Sequence, residues 1–212
     1  NPTSYKDYPN PMAEPVTFYL QEGAPYLGKL STNKMKLNKQ EIFSDNASFS
    51  AKSLAKSMSS NHRLMYVSEE LKQDIHISGV PEINIKASSS KKAVNLSVYL
   101  VSLPWNNNKE SKITDNIITK GWADLQNYSS LSKSSPLIPG KFYDMYFEMQ
   151  PDDQVIKKGQ QIGLLIFSSD SEYTLLPKPG TTLTIDVKET KISIPIVGGE
   201  NAFKSATNKL NN

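Results

Sequence analysis

Hydrophobic and polar residues alternate through residues 63–103, between short clusters of turn-forming residues. Residues 74–78 alternate polar and apolar and stop at Gly79-Val80-Pro81, after which residues 82–87 alternate again. A more apolar run then covers residues 94–103, after a turn of serines and lysines. Alternation with a period of two, broken by Gly, Pro and Ser, predicts antiparallel strands with one solvated face.

The same pattern continues on both sides of this segment. Further strands are predicted at residues 16–20, 29–37, 113–123, 141–149, 155–156, 161–169, 182–188 and 191–197. The apolar run 162–167 indicates a central strand covered on both faces. The last two runs predict a terminal hairpin about Glu189-Thr190. About nine strands at spacings of roughly 8–12 residues predict an all-β jelly-roll β-sandwich.

The chain divides into three zones of one domain. Residues 1–61 form an entry segment with the first strands and a long polar loop at 38–61, with a helical turn predicted across 51–58. Residues 62–197 form the sandwich core. Residues 198–212 form a polar tail, in which residues 200–210 are compatible with a short helix.

Composition excludes several functional classes. The 212 residues contain no Cys, which rules out disulfides, thiolate metal sites and a cysteine nucleophile, and fits a reducing, cytoplasmic location. No apolar run approaches the roughly 18 residues that a membrane span requires. The 24 basic residues are scattered among 21 acidic ones, and Arg63 is the single arginine, so a nucleic-acid surface is not expected.

The sequence also lacks the signature of a serine hydrolase. None of its ten glycines frames a serine as G-x-S-x-G. Asp74, His76 and Ser78 have the side chains of a catalytic triad, but successive members on one strand face lie about 6.6–6.8 Å apart. Triad hydrogen bonds need about 2.6–3.2 Å. A polar sheet face is therefore the favoured interpretation, and we expect no catalytic, cofactor-binding or metal-binding residue.

Two charged positions have alternative interpretations. Asp74 is predicted to pair with Arg63, whose planar guanidinium suits a carboxylate, and this structural role is favoured over ligand contact. Asp152-Asp153 is interpreted as an ordinary turn, because a calcium loop would need a longer series of spaced oxygen ligands.

Two tryptophans, Trp105 and Trp122, lie near predicted loops. Aromatic side chains at loops can stack on sugars. At the end of a strand in a sandwich, however, a tryptophan more often covers the core, and that interpretation is favoured here.

An ordered set of motifs resembles one protein family over nearly the whole chain. The matching positions are Tyr8-Pro9, Phe18-Tyr19-Leu20, Gly28-x-Leu30, Arg63-Leu64, Tyr66, Ser68, Leu71, Asp74, Gly79-Val80-Pro81, Gly121-Trp122, Pro139-Gly140, Tyr143, Gly159, Ser168-Ser169-Asp170 and Pro195-x-Val197. They resemble the C-terminal non-catalytic domain of the Xaa-Pro dipeptidyl-peptidase and cocaine-esterase-like serine hydrolases. Gly121-Trp-x-Asp-x-Gln-Asn127 is more similar to the peptidase branch.

The resemblance implies a galactose-binding-like jelly roll packed on an upstream α/β-hydrolase domain that carries the nucleophile, acid and base. Its role would be to stabilise that domain, to form part of the active-site entrance and to support homo-oligomer contacts. A carbohydrate-binding β-sandwich module is the alternative, whose mark would be coplanar aromatics on one exposed face. A surface adhesin sandwich is a third and less favoured hypothesis.

Overall fold

A computed structural model of the chain describes residues 7–105, 116–130, 132–175 and 180–207. The strands in this part are β1 (Ala13–Gln21), β2 (Gly28–Ser31), β3 (Gln40–Ser44), β4 (Leu64–Val67), β5 (Ile75–Gly79), β6 (Glu82–Ser89), β7 (Asn95–Leu103), β8 (Ile117–Asp124), β9 (Phe142–Glu148), β10 (Asp152–Ile156), β11 (Gln161–Phe167), β12 (Thr182–Asp186) and β13 (Lys191–Val197). The helices are α1 (Ala51–Lys56) and α2 (Gly199–Thr207), with one 3-10 turn at Leu125–Asn127.

The all-β prediction is confirmed, with thirteen strands in the described residues where the pattern predicted about nine. Helix α1 lies within the predicted helical turn at 51–58, and α2 lies within the predicted tail helix at 200–210 except for its first residue. Part of the predicted strand at 113–123 and part of the predicted tail helix lie outside the described residues. Pro2 and Leu131 also lie outside them.

The strands form one hydrogen-bonded sheet that curls around a core. The order β8–β7–β11–β4 is antiparallel, and β2 then pairs in parallel with β4 before the path continues through β1, β13 and β6. Strand β9 lies on the other edge of β6, and its end returns to β8, where the amide of Gln150 donates to the carbonyl of Lys120 at 2.9 Å. A Cβ at Gly121 would lie 3.1 Å from Cα of Met149, so this approach favours glycine.

The main core fills the inside of the curled sheet. Alternate residues of nearly every strand point into it, including Phe18, Leu100 and Ile194, each fully buried or nearly so. Helix α2 closes one end, because Phe203 contacts Phe18 edge-on with 4.8 Å between the ring centroids. The alternation in the sequence therefore corresponds to one continuous apolar core.

A second apolar cluster lies on the outer face of β4, β11 and β7. Met65, Tyr99, Leu165 and Phe167 are buried there beneath the short helix α1. Strand β11 thus contributes side chains to both clusters, and the prediction of a central strand covered on both faces is confirmed. We call this second group the outer cluster.

The predicted pairing of Arg63 with Asp74 is wrong. Arg63 is completely buried, and its guanidinium donates to the backbone carbonyls of Ala24, Tyr26 and Ser57, each at 2.7 Å. It joins the loop after β1 to the segment after α1. A buried guanidinium needs several acceptors, and carbonyl oxygens supply them here without a carboxylate.

Two further predictions about the ends of the sheet are corrected. Strand β3 lies inside the segment that was interpreted as a polar loop, and it pairs with β12. The predicted terminal hairpin does not form, because β12 and β13 pair with successive parts of the same edge of β6. Between them the hydroxyl of Thr190 accepts from the amide of Lys86 at 3.1 Å, where the ladder is interrupted.

No helix within the described residues is both long and apolar enough to cross a membrane.

Candidate functional site

The three residues that resemble a triad do not form a relay. Asp74 accepts hydrogen bonds from Nζ of Lys157 at 2.9 Å and from the amide of Lys158 at 2.8 Å. Its carboxylate is therefore engaged at the surface, on the start of the β5 segment. The Lys157 interaction is the main reason that the pKa of Asp74 is lowered.

His76 and Ser78 share a different carboxylate, that of Asp153 on the neighbouring strand β10. Nε2 of His76 lies 2.6 Å from Oδ1 of Asp153, and Oγ of Ser78 donates to Oδ2 at 3.0 Å. Burial lowers the pKa of His76 and raises the pKa of Asp153. The carboxylate stands between imidazole and hydroxyl, so the group lacks the base-to-nucleophile contact of covalent catalysis. It ties β5 to β10.

The interpretation of Asp152-Asp153 as a turn is wrong, because both residues belong to β10. Successive side chains of a strand point to opposite faces, so these two carboxylates cannot converge on one ion. Among the described residues no group of three or more His, Asp or Glu side chains is arranged to hold a metal.

Trp122 is held in place by a buried carboxylate. Its Nε1 donates to Oδ2 of Asp170 at 3.1 Å, and the hydroxyl of Tyr99 donates to the same oxygen at 2.5 Å. Asp170 is almost completely buried, and its other oxygen accepts from the amide of Glu172 at 3.1 Å. Burial, followed by the bond to Asp170, raises the pKa of Tyr99. Asp170 thus fixes two aromatic side chains of the outer cluster.

The aromatic faces near Trp122 are already occupied by a cation. Nζ of Lys120 lies 3.7 Å from the ring centroid of Tyr173 and 5.4 Å from that of Trp122. The two rings are 4.9 Å apart and inclined by 38°. Trp105 packs separately against the outer cluster with Lys56 over its ring at 5.7 Å. Neither tryptophan offers the flat, open platform on which a sugar stacks.

A cleft of about 460 Å³ opens beside the outer cluster. Its lining includes Lys52 of α1, Tyr99, Ile117, Lys120, Asp152 and Tyr173. We call it the outer cleft. Oδ2 of Asp152 is shielded from solvent and has no hydrogen-bond partner among the described residues, and burial raises the pKa of this carboxyl.

A smaller cleft of about 260 Å³ lies on the opposite part of the sheet, between β1, β6, β9 and β13. Its lining includes Glu82, Asn84 and Lys191, and Tyr146 is its aromatic side chain. A single tyrosine does not provide the set of coplanar rings expected of a carbohydrate-binding module.

Comparison with known proteins gives a consistent result over nearly the whole chain. The family model described as the X-Pro dipeptidyl-peptidase C-terminal non-catalytic domain matches residues 1–207. A putative Xaa-Pro dipeptidyl-peptidase of Rhodopirellula baltica is 54% identical over 198 residues, which are 93% of this chain and 32% of that protein. One of Bacillus anthracis is 35% identical over 91% of this chain and 31% of its own length. The chain spans about a third of these relatives.

Solved structures share the fold. An aminopeptidase from a marine sediment archaeon of the Thaumarchaeota superposes with a TM-score of 0.71 at 16% identity, over 91% of this chain and 38% of that one. A CocE/NonD family hydrolase of Staphylococcus aureus gives a TM-score of 0.66 at 13% identity, over 92% and 38% of the two chains. At these identities the likeness concerns the fold alone.

Proposed function

Because the chain belongs to the family of X-Pro dipeptidyl-peptidase C-terminal non-catalytic domains, we propose that it is the accessory domain of a serine hydrolase that removes Xaa-Pro dipeptides from peptide N-termini. In this proposal the nucleophile, acid and base belong to an upstream α/β-hydrolase domain. The sandwich stabilises that domain and forms part of the wall of the active-site entrance.

The observation that carries the proposal is the extent of the family match. It covers residues 1–207, and the matched relatives are about three times as long as the chain. The G-x-S-x-G motif of a nucleophile elbow does not occur in residues 1–212. This is consistent with a parent protein in which another part of the polypeptide performs the chemistry.

The outer cluster offers a physical reason for the stabilising role. Among the residues that the structure describes, the six-residue helix α1 packs over the outer face of β4, β11 and β7, and Trp105, Ile117 and Trp122 are partly exposed around it. A partly uncovered apolar face on a domain surface favours association, because burying it removes apolar area from water. Interfaces between domains of one chain commonly bury about 600–1,500 Å².

The contribution to catalysis would be indirect. A rigid β-sandwich beside an active-site entrance limits which substrates reach the nucleophile and keeps the entrance dry. Removal of a dipeptide from a peptide N-terminus is consistent with such a wall, because a restricted entrance admits the end of a peptide more readily than its middle.

Truncation of the parent polypeptide tests the proposal. The full-length protein, the upstream part alone and the upstream part with residues 1–212 added as a separate chain are compared in thermal unfolding and in Ala-Pro chromogenic amide turnover. We expect the upstream part alone to unfold at lower temperature and to lose activity, and the added chain to restore part of both. An upstream part that equals the parent in both measurements would contradict the proposal.

A further inference from the structure

We propose that the smaller cleft binds a free dipeptide with proline as its second residue, through the ammonium group, the carboxylate and the proline ring of that ligand. We call this cleft the small cleft. Its lining side chains come from four adjacent strands and include Thr17, Glu82, Asn84, Tyr146, Lys191 and Ser193. The inference rests on the proposed function, because such a dipeptide is the product class of the reaction proposed for the parent.

The register of the sheet fixes where the two charged residues of the small cleft stand. Asn84 of β6 is the direct partner of Lys191 on one side and of Tyr146 on the other. Glu82 precedes Asn84 by two positions, so both side chains lie on the same face of β6. Neighbouring strands are about 4.8 Å apart and two residues of a strand span about 6.8 Å, which places Cα of Glu82 about 8 Å from Cα of Lys191.

The two charges suit the two ends of a dipeptide. Glu82 and Lys191 are exposed, and neither takes part in an ion pair within the part of the chain that the structure describes. The ends of an extended dipeptide lie about 7 Å apart, because each residue spans at most about 3.6 Å. Its ammonium group can therefore meet Glu82 while its carboxylate meets Lys191, and hydrogen bonds between charged groups are stronger than neutral ones.

Asn84 and Tyr146 suit an Xaa-Pro dipeptide in particular. A ligand that joins Glu82 to Lys191 lies over Asn84, with the Tyr146 ring beside it. The peptide group before proline has a carbonyl but no N–H, so the donor of the Asn84 amide is sufficient to satisfy it. Tyr146 is 54% exposed, and a hydrogen bond with Glu82 restrains its ring. Proline residues dock on aromatic side chains in peptide recognition.

The size and the setting of the small cleft also fit a ligand of two residues. Its volume of about 260 Å³ lies just below the range of about 300–1,000 Å³ that is typical of pockets for drug-sized molecules. The cleft is built on a continuous hydrogen-bonded part of the sheet, from β9 through β6 and β13 to β1. Binding residues on paired strands are held more precisely than residues on loops, which favours recognition of a small ligand.

Titration of the purified chain with Ala-Pro, followed by NMR of its backbone amides, tests the inference. We expect saturable binding with a Kd of about 1 mM, and the largest shifts at the amides of β6 and β13 around Asn84 and Lys191. N-acetyl-Ala-Pro lacks the ammonium group and Ala-Pro amide lacks the carboxylate, so each should bind about tenfold more weakly than Ala-Pro. Pro-Ala, which carries the ring at the other end, should also bind more weakly.

Variants identify the residue that meets each end of the ligand. Glu82→Gln should weaken the binding of Ala-Pro about tenfold and remove the difference between Ala-Pro and N-acetyl-Ala-Pro. Lys191→Met should have the same effect on the difference between Ala-Pro and Ala-Pro amide. Asp144→Asn is the matched control, because Asp144 is exposed on β9 and does not line the small cleft, and it should bind Ala-Pro as the wild type does.

The other outcomes overturn the inference. They are the absence of saturable binding at millimolar Ala-Pro, shifts centred away from the small cleft, and equal affinity for Ala-Pro and its N-acetyl and amide derivatives. Each of these leaves the proposed function standing. The truncation experiment tests the proposed function without reference to Ala-Pro, so failure of one proposal is distinguishable from failure of the other.

Discussion

Nη1 of Arg63 donates a hydrogen bond of 2.7 Å to the carbonyl oxygen of Tyr26. The same guanidinium reaches the carbonyl of Ser57 at 2.7 Å, so one side chain fixes two loops at the base of α1. Burial lowers the pKa of Arg63 to about 10, which leaves the guanidinium charged at neutral pH. The position of α1, and with it one wall of the outer cleft, depends on this residue.

Replacement of Arg63 by Lys should destabilise the domain by about 2–3 kcal/mol, because an ammonium cannot donate to all of these carbonyls at once. Urea unfolding of the purified chain measures the loss. Arg63→Met should be at least as destabilising, since it leaves the same carbonyls without a donor. A change below about 0.5 kcal/mol for both variants would contradict the role assigned to Arg63.

Asp170→Ala should destabilise the domain by about 3 kcal/mol, because Tyr99 and Trp122 would each retain a buried donor without an acceptor. The environment of Trp122 should also change, which tryptophan fluorescence reports. Asp144→Asn is expected to leave both readouts unchanged, as a surface carboxylate should. Equal behaviour of the two variants would show that Asp170 does not fix these side chains.

Asp152→Asn should stabilise the isolated chain at neutral pH. Because burial raises the folded-state pKa of Asp152, the unfolded chain loses the proton first as pH rises, and stability falls through that interval. At pH 7 the isolated variant should therefore be more stable than the wild type by about 1 kcal/mol, and near pH 3 the difference should vanish.

Urea unfolding of the variant and the wild-type chain at both pH values measures this difference in stability. Equal stability of the variant and the wild type at pH 7 would contradict the cost assigned to burying this carboxylate.

His76→Ala in the parent should leave kcat for an Ala-Pro chromogenic amide within about twofold of wild type, because the contact of His76 with Asp153 ties β5 to β10. Ser78→Ala should behave in the same way. Steady-state kinetics of both variants measures kcat and tests this prediction. A fall in kcat of about a thousandfold would place this cluster in the chemistry.

Much of the fold could be predicted from local pattern. The period-two alternation of residues 82–87 and 191–197 identified β6 and β13, because each has one face on the core. Strand β3 was not predicted, because Phe43 is its single buried side chain and the neighbouring sequence is polar. The partners of β12 and β13 are non-local, and residue pattern does not encode which edge a strand joins.

The candidate site was less accessible to sequence reasoning. Asp153 contacts His76 across 77 positions, and the acceptors of Arg63 are backbone carbonyls, which carry no side-chain signal. The residues that line the outer cleft come from separate parts of the chain, among them α1, β8, β10 and the segment after β11. No short sequence motif therefore predicts this cleft. Ser168-Ser169-Asp170 is one of the motifs that carry the family resemblance. That Asp170 holds Tyr99 and Trp122 is visible only in the structure.

We propose that this chain is part of a peptidase whose chemistry resides in another domain. Turnover of Ala-Pro and Gly-Pro chromogenic amides by the highly purified chain, with the full-length parent measured in parallel, tests it most directly. We predict hydrolysis by the parent and none by residues 1–212 alone. Turnover by the isolated chain at a rate comparable with the parent would contradict the account.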